Sequence, residues 1–478
     1  MPTVYPLNYS PNLDTNWSVN PGACTDMSYL LQMQDGSLQG VRVDNSTLGF
    51  SLTGSDHLHA EVFMQTGGSA RFLTFRKQNI DEYSNTGTRT NRGTGYNAST
   101  TDWSATAWGN QIIACNYLDA TQSSTGAGFS GLGGGSPKAR YVASNINFVM
   151  FADVDDGGSN VNSDMVWWSG IRNPNTYTPS QATQAGAIRL LDVPGPIKGI
   201  VSFQDKFVVF KGNAVIVGQY IGPPHVFSWR VAAYGVGLSY PKAITECDGK
   251  LFFCHLSGVY SFDGASLQNI GLPIWSPVET FSTADTIRMR GDDVQGNVFL
   301  GVHNQVQSSF TQNELYTYAY NCRSGLWARQ GLICVSDPNA NNPEQPIVYG
   351  STAEYRAFSP TWGAASGFAW IDNAASAKLS FLTGGNAVMD NAASLTTGRV
   401  GANDSAGKTT RVYLRLTGAT SSNSNLVSSA TLSGYHREIG SADTTASLGF
   451  NTITDTLDGT VAGRYKSVSL TFSTSRIV

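Results

Sequence analysis

The alternation of apolar and polar positions is clearest between Lys242 and Gly271, which reads KAITEC-DG-KLFFCHL-SG-VYSF-DG-ASLQNIG. Four short runs of β-branched and aromatic residues are parted by Asp248-Gly249, Ser257-Gly258 and Asp263-Gly264. Asp-Gly suits a two-residue type I′ hairpin, because both central residues take positive φ and glycine does so without steric cost. Reversals this close leave no room for a crossover helix, so the run predicts an antiparallel four-strand meander of propeller-blade size. Upstream, GIVSFQDKFVVFKGNAVIVGQYIG repeats the grammar, turning at Gln204-Asp205 and Gly212-Asn213.

Hairpin-like runs extend on both sides: SYLLQMQ and LQGVRV about Asp35-Gly36, HAEVFMQ and ARFLTFRK about Gly67-Gly68, and RYVASNINFVMFAD with DMVWWSG. Later come TIRMRGDDVQGNVFLGVH and ELYTYAYNCRSGLWARQG, the latter reversing at Ser324-Gly325. Grouped in fours at ~40–50 residues per repeat, they predict a β-propeller of roughly six to eight blades. The expected division is an N-terminal arm and first strands over 1–50, the propeller over 51–370, and a β-sandwich-like platform over 371–478. In that last part the composition shifts to Ala, Ser, Thr and Asn.

Composition agrees with an all-β chain: 51 glycines and 11% aromatics against only 13% charged residues in 478. The net charge of −4 gives no argument for nucleic-acid affinity, and no basic run appears. The tightest basic group, Arg71, Arg76 and Lys77, alternates along RFLTFRK and is expected to be a solvated strand face. The first residues, MPTVYPLNYSPNLD, have neither the basic nor the apolar region of a signal peptide, and no run approaches the ~20 apolar residues of a membrane span. Six cysteines without a C-x-x-C pair suggest reduced thiols. A two-residue turn at Asp248-Gly249 pairs Cys247 with Lys250 and Cys254 with Ala243, out of register for a bridge.

Candidate chemistry is sparse. The acidic loop Asp153, Asp155, Asp156, Asn160, Asp164 has Gly157 where an EF-type loop needs an oxygen ligand at its fifth position, so a hairpin tip is expected. GLGGGSPK (Gly131 to Lys138) lacks P-loop spacing and a following helix. His57 and His59 alternate on one strand, but no third ligand accompanies them, and they are expected at the surface. Arg290-Gly291-Asp292 is expected to be a turn before the strand NVFLGV. With no G-x-S-x-G, H-E-x-x-H, Cys/His cluster or sialidase-type Ser-x-Asp-x-Gly-x-Thr-Trp box, the expectation is a chain that is not an enzyme, without catalytic residues, cofactor or metal.

The run DVPGPIKGIVSFQDKFVVFKGNAVIVGQYIGPPHVFSWRVAAYGVGLSYPKAITECDGKLFFCHLSGVYSFDG resembles the core of the tail-tube (nozzle, tail-hub) proteins of short-tailed bacteriophages, which include packaged-DNA stabilisation proteins. The features that carry it are the strand Phe207 to Lys211, Gly235-Val236-Gly237, the strand Leu251 to Phe253, and GVYSFDG. VWWSGIRNPNTYTP and NLDTNWSVNPGACTDM resemble the family's connector and N-terminal arm, and the similarity concentrates in 108–275. The resemblance implies a β-propeller subunit in a homohexamer around an axial channel, docked to a portal or head-to-tail adaptor and touching tail fibres or spikes. It implies a virion protein, made in the host cytoplasm, that retains packaged double-stranded DNA and conducts it without sequence-specific binding or a small-molecule substrate. Six copies at −4 would carry −24, which lets DNA slide rather than stick. The alternative is a carbohydrate- or receptor-binding propeller using Trp103, Trp108, Trp167 and Trp168 to stack on sugars; a propeller glycosidase ranks below both.

Overall fold

The computed structural model describes residues 56–155 and 161–281 without interruption, and most of 24–54 and 287–472. The arm before Cys24, the tip 156–160 of the acidic loop, and segments such as 305–312, 336–346, 385–392 and 415–426 lie outside the described residues.

Six four-stranded antiparallel meanders follow one another: blade 1 over 57–94, blade 2 over 104–131, blade 3 over 138–189, blade 4 over 197–234, blade 5 over 244–269 and blade 6 over 287–335. Among the described residues these make a six-bladed β-propeller, with the first strand of each blade at the axis. Blade 5 shows how the turns are made. Asp248 and Gly249 take φ of 50° and 70°, as a type I′ hairpin requires, and Cys247 pairs with Lys250. Cys254 donates its N–H to the Ala243 carbonyl, so the two thiols are out of register as expected. The second reversal differs by one residue: His255 pairs with Gly258, so Leu256-Ser257 form the turn. The third is a four-residue loop, Phe262 to Leu267, closed by Asp263 accepting from the Ala265 and Ser266 N–H groups.

The strands read as nearly continuous apolar runs because a blade is covered on both faces. In KFVVFK, Phe207 and Val209 face a core shared with blade 3, while Val208 and Phe210 face one shared with blade 5. Phe210 meets Phe253 of blade 5 at 5.0 Å between ring centroids. Separate cores of this kind fill the gaps between blades 1 and 2 and between blades 2 and 3. Burying one such phenylalanine contributes roughly 2–3 kcal/mol, so the interfaces between blades hold the ring together.

Closure comes from beyond blade 6. The short strand Ile347–Tyr349 pairs in parallel with the first strand of blade 1, Val348 opposite Ala60 and Tyr349 opposite Glu61. Through it Ala365–Asp372, Lys378–Gly384, Leu38–Asp44 and Leu30–Gln32 extend blade 1 into a nine-stranded sheet. A helix, Thr352–Phe358, packs Tyr355 against the same core as Trp362 and Phe72. The remaining C-terminal strands, with Cys24–Ser28, make a six-stranded and a three-stranded sheet. Leu432, Val468 and Leu470 share one core with Cys24, Leu30 and, from blades 5 and 6, Phe252, Val298 and Trp327.

Candidate functional site: the axial channel and its face

The first strands of the blades leave a space along the propeller axis, divided in two by an ion pair. Lys242, on the connection into blade 5, reaches across to blade 2: its Nζ lies 2.6 Å from Asp102 Oδ1 and donates to the Trp103 carbonyl at 2.8 Å. It also stands 3.5 Å from His59 Nδ1 of blade 1. Three blades thus meet at one ammonium, and the chambers on either side share it as part of their walls.

On the inner side lies a chamber of about 300 Å³ walled by all six blades and by Tyr349 of the closing strand. His59 and Glu61, two residues apart and so on one side of their strand, meet there, Nε2 to Oε2 at 3.1 Å. Tyr349 stacks on the His59 ring at 5.2 Å between centroids. Burial, followed by the charges of Lys242 and Arg288, holds the His59 pKa well below its ordinary value. Burial and the nearby Glu354 push the Glu61 carboxyl up to about 8, against the opposing pull of Arg290 and Lys242. The two groups stand within the hydrogen-bond reach that proton exchange between an imidazole and a carboxyl group requires.

On the outer side the channel opens into a chamber of about 500 Å³, bordered by Asp102, Tyr117, Arg140, Asp153, Lys198 and Arg288 among others. Arg140 Nε donates to Asp153 Oδ2 at 2.9 Å, and its guanidinium lies 4.6 Å over the Tyr117 ring. Two residues of this rim hold left-handed backbone, Tyr117 at φ 70° and Asp153 at φ 55°. Asp153 sits at a register shift between Ala152 and Val154, where the strand bulges and re-aims the side chain. Its carboxyl pKa is raised, burial outweighing the attraction of Arg140.

The face around this mouth carries the connections between blades and the turns between second and third strands. Large apolar side chains are exposed on it: Leu191 (65%), Tyr234 (70%), Leu256 (65%) and Leu272 (71%) lie on consecutive connections and turns of blades 3 to 5, with Leu118 on blade 2.

Several expected sites lie elsewhere than the residue pattern suggested. Arg71 and Arg76 are not a solvated face: Arg71 is buried and pairs with Glu82, and Arg76 with Asp56 and Asp81, because the neighbouring strand supplies carboxylates. His57 and His59 are buried rather than at the surface, and a register shift between them separates their surroundings. His57 feels Arg76, Asp56 and Asp81; His59 feels Lys242 and Arg288. Arg290-Gly291-Asp292 is not a turn but part of the first strand of blade 6, with Gly291 so close to the Glu246 carbonyl that a Cβ would stand 2.2 Å from it. In the glycine-rich run, a Cβ on Gly134 would lie 1.8 Å from the Asn175 carbonyl, so this backbone packs against the connector after blade 3's third strand. Of the tryptophans offered for sugar stacking, Trp103 and Trp168 are buried and Trp167 is half-buried, and their indoles donate to the Arg76, Gln184 and Tyr177 carbonyls; Trp108 is half-buried. Among the described residues no group of three or more His, Cys, Asp or Glu is placed to hold a metal. The inner His59–Glu61 pair was missed, since only the pairing of blades brings Lys242 and Tyr349 to it.

No protein-family model matches the chain, and no curated protein matches it significantly. Among solved structures it is similar to a catalytically inactive variant of virginiamycin B lyase from Staphylococcus aureus with quinupristin, at 9% identity and a TM-score of 0.42, over 72% of this chain and 99% of that one. It is also similar to a gluconolactonase from Xanthomonas campestris, at 12% identity and a TM-score of 0.32, over 63% and 96%. A computationally designed protein shares 8% identity at a TM-score of 0.37, over 69% and 98%. These likenesses concern the fold. They correct the expectation that the chain is not an enzyme, which rested on missing motifs: the propellers it is similar to include a lyase and a lactonase. Their activities are their own.

Proposed function

We propose that this β-propeller is a ring-forming structural protein of a short-tailed phage virion, a tail nozzle or hub that extends the portal channel, retains packaged DNA and conducts it during ejection. The observation that carries this reading is the apolar arc on the mouth face. Four large apolar side chains, each at least 65% exposed, lie on connections and turns of one face over three consecutive blades, and exposed apolar side chains gathered on one face suit a protein contact. In a homohexamer the arc is buried against the neighbouring subunit. The portal or its adaptor, and the fibres or spikes, take the two ends of the ring.

The conduit in this reading is the hole between subunits and not the propeller's own axis. Lys242 and Asp102 stand between the two chambers on the axis, and volumes of about 500 and 300 Å³ hold a small molecule at most. A weakly charged wall suits passage, because a wall that neutralises few phosphates releases few counterions, and the DNA slides.

The test is the mass of the purified protein across a wide concentration range, with and without a portal ring as template, alongside negative-stain images. A six-fold ring with an axial hole is expected. Leu191→Asp with Tyr234→Asp should lower the assembled fraction at least tenfold without changing the melting temperature of the monomer. A chain that stays monomeric at every concentration, template included, overturns the proposal.

A further inference from the structure

We infer that Cys247 and Cys322 form a dithiol site that reacts with a small disulfide such as oxidised glutathione, closing a covalent link between blades 5 and 6. The inference concerns a single subunit and does not rest on ring formation. The first support is placement. Cys247 ends the first strand of blade 5 and is wholly buried, while Cys322 is half-buried in the turn between the third and fourth strands of blade 6. The Cys247 thiol donates towards the Asp292 and Asn297 carbonyls at 3.6 and 3.7 Å. Those two residues pair across the first hairpin of blade 6, and Asn297 pairs in turn with Asn321. Cys322 follows Asn321 directly and donates its N–H to the Gly296 carbonyl at 2.7 Å. Both cysteines therefore converge on one turn, where the Cys247 side chain also hydrogen-bonds that of Cys322. Both are free thiols.

The second support is that the turns carrying the two cysteines are clamped together. Asp248, next to Cys247, donates its N–H to Asp293 Oδ1 at 2.9 Å. Arg323, next to Cys322, donates to the Asp293 carbonyl at 3.3 Å and lies 3.9 Å from the Asp248 carboxylate. Polar contacts on the flanking residues thus hold the two thiols side by side, and closing the bond orders little further chain. The third support is unequal access. Cys322 is the thiol that a reagent in solution reaches, whereas Cys247 is sealed in the core. The hydrogen bond to Cys322, followed by burial, pushes the Cys247 thiol pKa up and keeps it protonated. Cys322 therefore attacks first and Cys247 resolves. Cys322 loses its proton to solvent, and its sulfur attacks one sulfur of glutathione disulfide. That S–S bond breaks, and one glutathione leaves as the thiolate and takes up a proton. Capped Cys322 carries no charge to oppose a thiolate at Cys247, whose sulfur then attacks that of Cys322, its proton passing to the second departing glutathione. Two protein thiols are oxidised by two electrons, and one glutathione disulfide is reduced to two glutathione thiols.

The experiment incubates the folded full chain with oxidised glutathione, blocks the remaining thiols with N-ethylmaleimide during unfolding, and maps tryptic peptides by mass spectrometry without reduction. Cleavage after Lys242, Lys250, Arg290 and Arg323 puts Cys247 and Cys322 on separate peptides, neither of which holds another cysteine. These two peptides linked to each other in most molecules is the expected result. Cys247→Ser should leave one glutathionyl group on Cys322. Cys322→Ser should lower modification of Cys247, linked or glutathionylated, at least tenfold at unchanged circular dichroism. If Cys247→Ser fails to fold, wild type and Cys322→Ser decide. Absence of the linked peptides from wild type, an unmodified Cys322 in folded Cys247→Ser, or undiminished modification of Cys247 in Cys322→Ser overturns the inference.

Discussion

Lys211 ends the strand KFVVFK, is only 1% exposed, and donates from its ammonium to the Leu190 carbonyl at 2.7 Å and the Val193 carbonyl at 2.6 Å. Its own carbonyl accepts from Leu238, and Gly237 packs so closely on it that a Cβ there would stand 2.0 Å away. The connections into and out of blade 4 therefore meet at this residue. Replacing Lys211 with Met keeps the length of the stem and removes both hydrogen bonds, leaving two buried carbonyls unpaired. Each lost charged hydrogen bond is worth about 1.5–3 kcal/mol, while release from the ammonium's desolvation returns part of that. The net expectation is a loss of about 2–4 kcal/mol, read by urea unfolding as a lower midpoint at unchanged slope.

The pH dependence gives a second reading of the same residue. Burial lowers the Lys211 pKa from its ordinary value of 10.5, so between the folded and unfolded pKa values the unfolded chain binds more protons. Stability then rises with pH in that window, and the advantage of wild type over Lys211→Met should widen as pH climbs towards 10.5. A variant within about 0.5 kcal/mol of wild type, or a gap that narrows with rising pH, would refute the reasoning, since surface substitutions lie within that margin.

Glu61 should show the opposite trend. Its folded pKa of about 8 lies above the ordinary 4.5, so the folded state holds the extra proton and stability falls as pH rises from about 4.5 to about 8. Glu61→Gln should flatten that slope in pH-dependent melting, and an unchanged slope would assign the trend to another group. Two glycines should behave differently although both lie outside the strands. Gly249 takes φ 70° with open space around its Cβ position, so Gly249→Val should cost about 1–3 kcal/mol from backbone strain alone and still fold. Gly237→Ala drives a methyl into the Lys211 carbonyl and should prevent soluble expression at 37 °C; a well-folded variant by circular dichroism would show that the two connections can move apart.

Much of the fold is legible because blade turns are local. Asp248-Gly249 and Gln204-Asp205 declare themselves through residues that tolerate positive φ, and the apolar runs between them declare the strands. Ser257-Gly258 misled by one position because glycine there answers a packing need: a Cβ on Gly258 would stand 2.9 Å from the Asn269 side chain. The closing strand Ile347–Tyr349 escaped because three residues carry no period and its partner is nearly 300 residues away.

The site was less legible for the same reason of range. His59, Asp102, Lys242 and Tyr349 stand far apart in the chain and share no motif, and only the circular arrangement of blades brings them to one axis. The buried Arg71 and Arg76 show the limit from the other side: alternation marks two faces of a strand but not which neighbour covers each. By itself the sequence determined an all-β chain, its hairpins and its blade-sized repeat, since these depend on backbone preferences a few residues apart. Tertiary structure alone decided the blade count of six, the parallel strand that closes the ring, and the charges that meet on the axis. Those follow from contacts between blades, whose free energy depends on which surfaces meet and not on the order in which they are written.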